Sequence, residues 1–173
     1  MSGAGSPDPT AVSGAGQRLA VVATRWYAEI TDVLAEGAVS TARECGVAPS
    51  DIDVLRVSGA FELPVVADAL ARSGRYDAVV CLGVVVRGGT PHFDYVCRAV
   101  TDGCTRVALE HGLPVGFGVL TVDDLQQARD RAGGAAGHKG REAVLAVLET
   151  AAVLAEIRAT AHSGASSPAP PRH

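Results

Sequence analysis

RLAVVAT (18–24) is a short, largely aliphatic run, and Ile30, Val33, Leu34, Gly37, Ala38, Thr41 and Cys45 follow at the spacing of one helical face. The pattern predicts a strand and then a helix. The pairing recurs along the chain: DVLRV (53–57) precedes a helical stretch over 62–72, DAVVCLGVVV (77–86) precedes one over 93–110, and PVGFGVLT (114–121) precedes VDDLQQARDRA (122–132). A last helix is predicted over 139–160, and no internal repeat is evident.

Four apolar strands alternating with helices predict a parallel sheet buried on both faces, because parallel neighbours need crossover connections and those are normally right-handed. The expected fold is α/β, a three-layer αβα sandwich with a central four-stranded parallel sheet of flavodoxin-like kind. Ligands of such sheets gather beyond the carboxyl ends of the strands. TRWY, SGAFELP, RGGTPHF and FGVLT thereby become the segments to read for chemistry.

Composition narrows the classes. The 173 residues suit one domain, with 47% hydrophobic and 20% charged residues. Three Phe, three Tyr, one Trp and a net charge of −4 give neither a base-stacking surface nor a phosphate-seeking field, so no nucleic-acid partner is expected. No apolar run approaches the ~20 residues of a membrane span, and the first sixteen residues lack the basic start and apolar stretch of a secretory signal. A cytoplasmic protein without a membrane partner is expected. Residues 1–16 and 162–173 are rich in Gly, Ser, Pro and Ala and read as disordered tails around a folded unit over 17–161. Cys45, Cys81, Cys97 and Cys104 form no CxxC pair and read as small buried residues, and although Cys97 and Cys104 share a helical face, two thiols make no metal site.

In SGAFELP, Glu62 stands near a helix start, where it either caps the helix or binds a ligand, and Phe61 packs in the core or faces the site. RGGTPHF offers the amides of Gly88 and Gly89 and the Thr90 hydroxyl just before a helix N-terminus, which is either an anion cradle or an ordinary turn. It is not a P-loop, since GxxxxGK[ST] is absent. His92 follows at a distance that suits proton transfer beside a bound anion, although a lone histidine is more often structural. Trp26 comes directly after the first strand, where it covers either a flat ring or the domain edge. RDRAGGAAGHKG (129–140) places Arg129, Arg131 and Lys139 around a Gly-rich joint, which reads as a solvated surface on composition alone. The fingerprints of dinucleotide dehydrogenases, serine hydrolases and zinc proteases are missing.

Taken together, Trp26, GAFELP, LGVVVRGGTPHFDYVC, PVGFGVLT and QARDRAGGAAGHKG resemble the 6,7-dimethyl-8-ribityllumazine synthase family, in the same order and over roughly 18–160. The resemblance implies condensation of 5-amino-6-(D-ribitylamino)uracil with 3,4-dihydroxy-2-butanone 4-phosphate by imine formation, phosphate elimination, ring closure and dehydration, with no metal or organic cofactor. It assigns acid/base catalysis to His92 and ring stacking to Trp26. It gives the ribityl chain to Ala60, Phe61 and Glu62, and the pyrimidine edge to the backbone of Val84, Val85 and Val86. Gly89, Thr90, Arg131 and Lys139 match the phosphate-binding positions.

Phe117 matches a position supplied by a neighbouring subunit, which implies a homopentamer with interfacial sites and an inactive monomer. Some relatives close twelve pentamers into a sixty-subunit capsid; the short joint RAGGAAGHKG fits those, whereas Pro7 and Pro9 oppose an N-terminal strand joining a neighbour's sheet, and the pentamer is the expectation. Two positions depart from the family pattern. Gly89 stands where Ala or Gln is more usual, a change that a backbone contact survives, and Tyr27 stands where Asn or His is more usual, at the edge of the substrate. The alternative is a non-catalytic lumazine- or flavin-binding or shell-forming paralogue.

Overall fold

The computed structural model describes residues 12–164, with side chains to 161. Strands β1 (Leu19–Thr24), β2 (Ile52–Val57), β3 (Ala78–Val86) and β4 (Val115–Val122) form one sheet in the order β2-β1-β3-β4, and every pairing is parallel. Helices α1 (Ala28–Glu44), α2 (Leu63–Arg72), α3 (His92–His111), α4 (Leu125–Arg131) and α5 (Lys139–Gly164) cover it. The predicted αβα sandwich is the observed one; β1 and β3 lie inside their aliphatic runs, while β2 starts one residue before its run and β4 ends one residue after its run.

The central strands β1 and β3 are buried on both faces, which is why their sequences are continuous aliphatic runs and not alternations. Alternate residues feed two cores. Leu19, Val21, Val80 and Leu82 meet Ile30, Leu34, Val144 and Leu148 of α1 and α5, while Ala20, Val22, Val79 and Cys81 meet Leu63, Ala67, Val100 and Cys104 of α2 and α3. Val33, read with the apolar face of α1, turns out to be exposed, because the core of that helix runs through Ile30, Leu34, Ala38 and Thr41 and leaves position 33 on its flank. Cys45, Cys81 and Cys104 are buried, as their sequence reading expects, and Cys97 is half-buried.

Features without a hydrophobic period were not predicted, among them a 3-10 turn over Pro49–Asp51 before β2. A 3-10 turn over Ala60–Glu62 precedes α2, and a small antiparallel hairpin, β5 (Ala132–Gly134) with β6 (Gly137–His138), fills the joint between α4 and α5. Gly133 at φ 109° and Gly137 at φ 89° occupy the left-handed side of backbone space, so the glycines of that joint set its path.

The packed chain extends past the compositional boundaries. Val12 is 9% exposed, and the Gly14 amide donates to the Cys45 carbonyl at 2.7 Å, tying residues 12–16 to the end of α1. At the other end α5 runs to Gly164. The rest of the two tails, with Pro7 and Pro9, lies outside the described residues. Among those residues no helix is long and apolar enough to cross a membrane.

Candidate active site

In the order β2-β1-β3-β4 the chain steps outward from β1 to β2 and then back across to β3. The connections leaving β1 and β3 therefore go to opposite faces, α1 to one core and α3 to the other, and their carboxyl ends part to leave a crevice. Residues 25–27 border it from the β1 side and residues 87–91 from the β3 side.

Register adds to this opening. The β1–β3 ladder stops at Ala23–Leu82, whereas β3 continues against β4 through Val84–Leu120, Val85–Thr121 and Val86–Val122. The backbone of Val84, Val85 and Val86 on the β1 side thus lies beyond the ladder, where it can offer hydrogen bonds to a flat, polar-edged ligand.

Trp26 overhangs this edge at 64% exposure. The amides of Arg25 and Trp26 donate to the Ser58 carbonyl at 3.2 and 3.3 Å, which holds the β1 loop against the β2 loop and its GAFE segment. There Ala60 is buried, and Phe61 is 64% exposed and belongs to no core. The Glu62 carboxylate accepts from the Gly59 amide at 2.8 Å, so it caps the turn while staying exposed. Sequence left packing and site open for Phe61, and capping and binding open for Glu62. The fold puts Phe61 outside and has Glu62 capping.

On the other border, α3 starts at His92, one residue earlier than periodicity predicts, after Pro91. His92 is exposed on the first turn of a 20-residue helix, whose free amides and dipole favour an anion in front of it. Thr90, Gly88 and Gly89 are exposed just before it, and a Cβ at either glycine would meet nothing within 4 Å. Neither glycine has a left-handed backbone, so Gly89 leaves room for a ligand without being required by the turn.

Arg87 was not singled out by sequence, and it braces this turn. Its Nε lies 2.9 Å from Asp123, Nη1 lies 3.4 Å from Asp94 on the first turn of α3, and the guanidinium sits 4.1 Å from the Phe93 ring centroid. Two carboxylates compensate its charge and raise its pKa, Asp123 most strongly. The RGGT arginine is therefore a strut between β4 and α3.

The remaining residues that the resemblance assigns to the site lie on and beside the edge strand β4. Phe117 is 38% exposed and pairs with Cys81, while Val86 is five positions further along β3, roughly 16 Å at a strand's rise. Arg131 ends α4 and turns Nη1 onto the Gln127 carbonyl at 3.1 Å. Lys139 opens α5 with Nζ 2.6 Å from Glu142. The hairpin between them is pinned by His138, whose ring lies against α1 where Gly37 has no side chain; a Cβ there would collide with the imidazole. Burial, reinforced by the Arg141 charge, pushes the His138 pKa down, and its Nδ1 is buried without a hydrogen-bond partner. Sequence gave His138 no role, and the signal that could have found it is the run of small residues facing it.

Residues 16–155 match the 6,7-dimethyl-8-ribityllumazine synthase family. The chain is 61% identical to the 6,7-dimethyl-8-ribityllumazine synthase of Frankia casuarinae over 159 residues, covering 91% of this chain and 98% of that one. It is 58% identical to the enzyme of the same name from Salinispora arenicola, covering 87% and 90% of the two chains, and 51% identical to that of Streptomyces coelicolor, covering 91% and 97%.

Proposed function

The chain belongs to the 6,7-dimethyl-8-ribityllumazine synthase family, and we propose from that premise that the crevice between β1 and β3 is one half of its active site. The reaction is the transferase step of riboflavin biosynthesis that condenses 5-amino-6-(D-ribitylamino)uracil with 3,4-dihydroxy-2-butanone 4-phosphate and releases phosphate and water. A non-catalytic paralogue is not favoured, given identities of 50–61% to curated synthases over most of the chain.

The overrun of β3 past β1, ending in the open turn and His92, is the observation that supports this reading most directly. Trp26 stacks on the pyrimidine, the backbone of Val84, Val85 and Val86 reads its edge, and Ala60, Phe61 and Glu62 line the ribityl chain. The phosphate of the second substrate sits at Gly89 and Thr90 before α3. His92 then stands between the two reacting regions, where it moves protons in imine formation, elimination and dehydration.

Phe117, Arg131 and Lys139 form the other half. Lys139 is ion-paired with Glu142, so Arg131, whose guanidinium meets only a neutral carbonyl in the contacts described above, takes the phosphate charge and stabilises it as it leaves. Phe117 lies well back along an open edge strand, which supports the two halves meeting between neighbouring copies; that those copies form a homopentamer, working in the cytoplasm, is what the family resemblance implies.

Mixing the protein with both substrates and following the absorbance and fluorescence of the lumazine tests the assignment against the slow uncatalysed background. His92→Ala is expected to slow turnover by about a hundredfold yet leave residual rate, since orientation and phosphate contacts remain. An unchanged rate would remove His92 from catalysis.

A further inference from the structure

We propose that Tyr27 is a positioning residue that holds Trp26 as a preformed platform for the pyrimidine; this rests on reading Trp26 as the ring-stacking residue. Tyr27 has φ 57° and ψ 51°, and among the described residues it is the one non-glycine residue on the left-handed side. A bulky side chain persists there only where its surroundings over-determine the backbone.

Those surroundings can be named. The Tyr27 carbonyl accepts from the amides of Ile30 and Thr31 at 2.9 and 3.0 Å and so opens α1. The buried Thr31 hydroxyl donates to the Thr24 carbonyl at 2.7 Å, which locks the first turn of α1 to the last residue of β1. The Tyr27 ring is half-buried against the α1/α5 core. With residues 25–27 as the whole connection, the left-handed turn lets α1 start at once while the indole stays outside.

The two rings then meet edge to face, with centroids 6.3 Å apart and planes at 67°, inside the range of favourable aromatic pairs. Gly59 also stands beside Trp26, where a Cβ would lie 3.9 Å from Cδ1. An exposed indole without such neighbours loses side-chain freedom when a ring stacks on it, and one already held loses less, which strengthens binding without a new contact to the ligand.

Trp26 is the only tryptophan of the chain, so its emission reports this site alone. The experiment uses full-length Tyr27→Asn and Tyr27→Gly, which tolerate a left-handed backbone but lack the ring, with Tyr27→Phe as the conservative variant and Trp26→Ala as the control. Time-resolved anisotropy of Trp26 and separate KM values for the two substrates are the readouts. Both ring-less variants are expected to show faster local indole motion and a pyrimidine KM raised about two- to tenfold, the range of an edge-to-face contact. The KM for the phosphate substrate stays unchanged, and Tyr27→Phe restores wild-type behaviour. A merely structural role would move both KM values together and overturns the proposal. So does wild-type anisotropy in Tyr27→Asn and Tyr27→Gly. If Trp26→Ala leaves the pyrimidine KM unchanged, the stacking reading itself is wrong and the proposal falls with it.

Discussion

At the scale of single residues, charge compensation decides which cations can serve a phosphate. Arg87 lies beside the glycines of the cradle, yet its guanidinium is shared by Asp94 and Asp123 and stacked on Phe93. Removing it exposes two carboxylates to the incoming phosphate. Arg87→Ala is therefore expected to raise the KM for the butanone phosphate by about fivefold, the effect of one uncompensated charge at an exposed site, with little change in the pyrimidine KM. Steady-state kinetics with each substrate varied in turn checks this. An arginine that bound phosphate directly would cost far more and would also lower kcat.

Among elements, the α4–hairpin–α5 joint depends on a neutral histidine. Since burial lowers the His138 pKa in the folded chain, the unfolded chain takes up this proton first as pH falls below about 6.5, and the folded state becomes relatively less stable. The contribution is complete above that pH and is lost as pH falls through the depressed folded value. Facing groups set the balance: Arg141 opposes protonation, while Glu142 and the Val33 carbonyl favour it. His138→Asn removes the titration. Its melting temperature is expected to fall less than that of the wild type between pH 7.5 and 5.5, a window in which ordinary carboxylates stay ionised. Parallel thermal melts decide the point, and equal slopes would place the pH sensitivity elsewhere.

On the scale of the whole molecule, the residues proposed for the site stand on different elements. His92 and Trp26 border the β1/β3 crevice, while Phe117 and Arg131 lie around β4. If neighbouring copies join the halves, His92→Ala and Arg131→Ala damage opposite halves of each shared site. Co-assembly of the two variants is expected to restore about a quarter of wild-type activity, because random mixing leaves that share of interfaces with both groups intact. Each variant alone stays slow, and light scattering reports five subunits or a multiple of five. Failure of mixed assemblies to recover activity would return both groups to one subunit.

Local order was legible in the sequence because it is local. Aliphatic runs followed by helical spacing placed the four strands and five helices, and RGGTPHF announced a turn before a helix whatever lay around it. Family resemblance then assigned the chemistry. Periodicity, however, says nothing about which strand ends where, and the overrun of β3 past β1 follows from register between runs far apart in the chain. The left-handed Tyr27, the strut at Arg87 and the ring of His138 against Gly37 are likewise contacts between distant segments or responses to them. A sequence of this length determined its elements and its reaction through short-range pattern and family likeness. Only the tertiary structure decided how those residues are spaced from one another, because strand order and register set distances that no local pattern encodes.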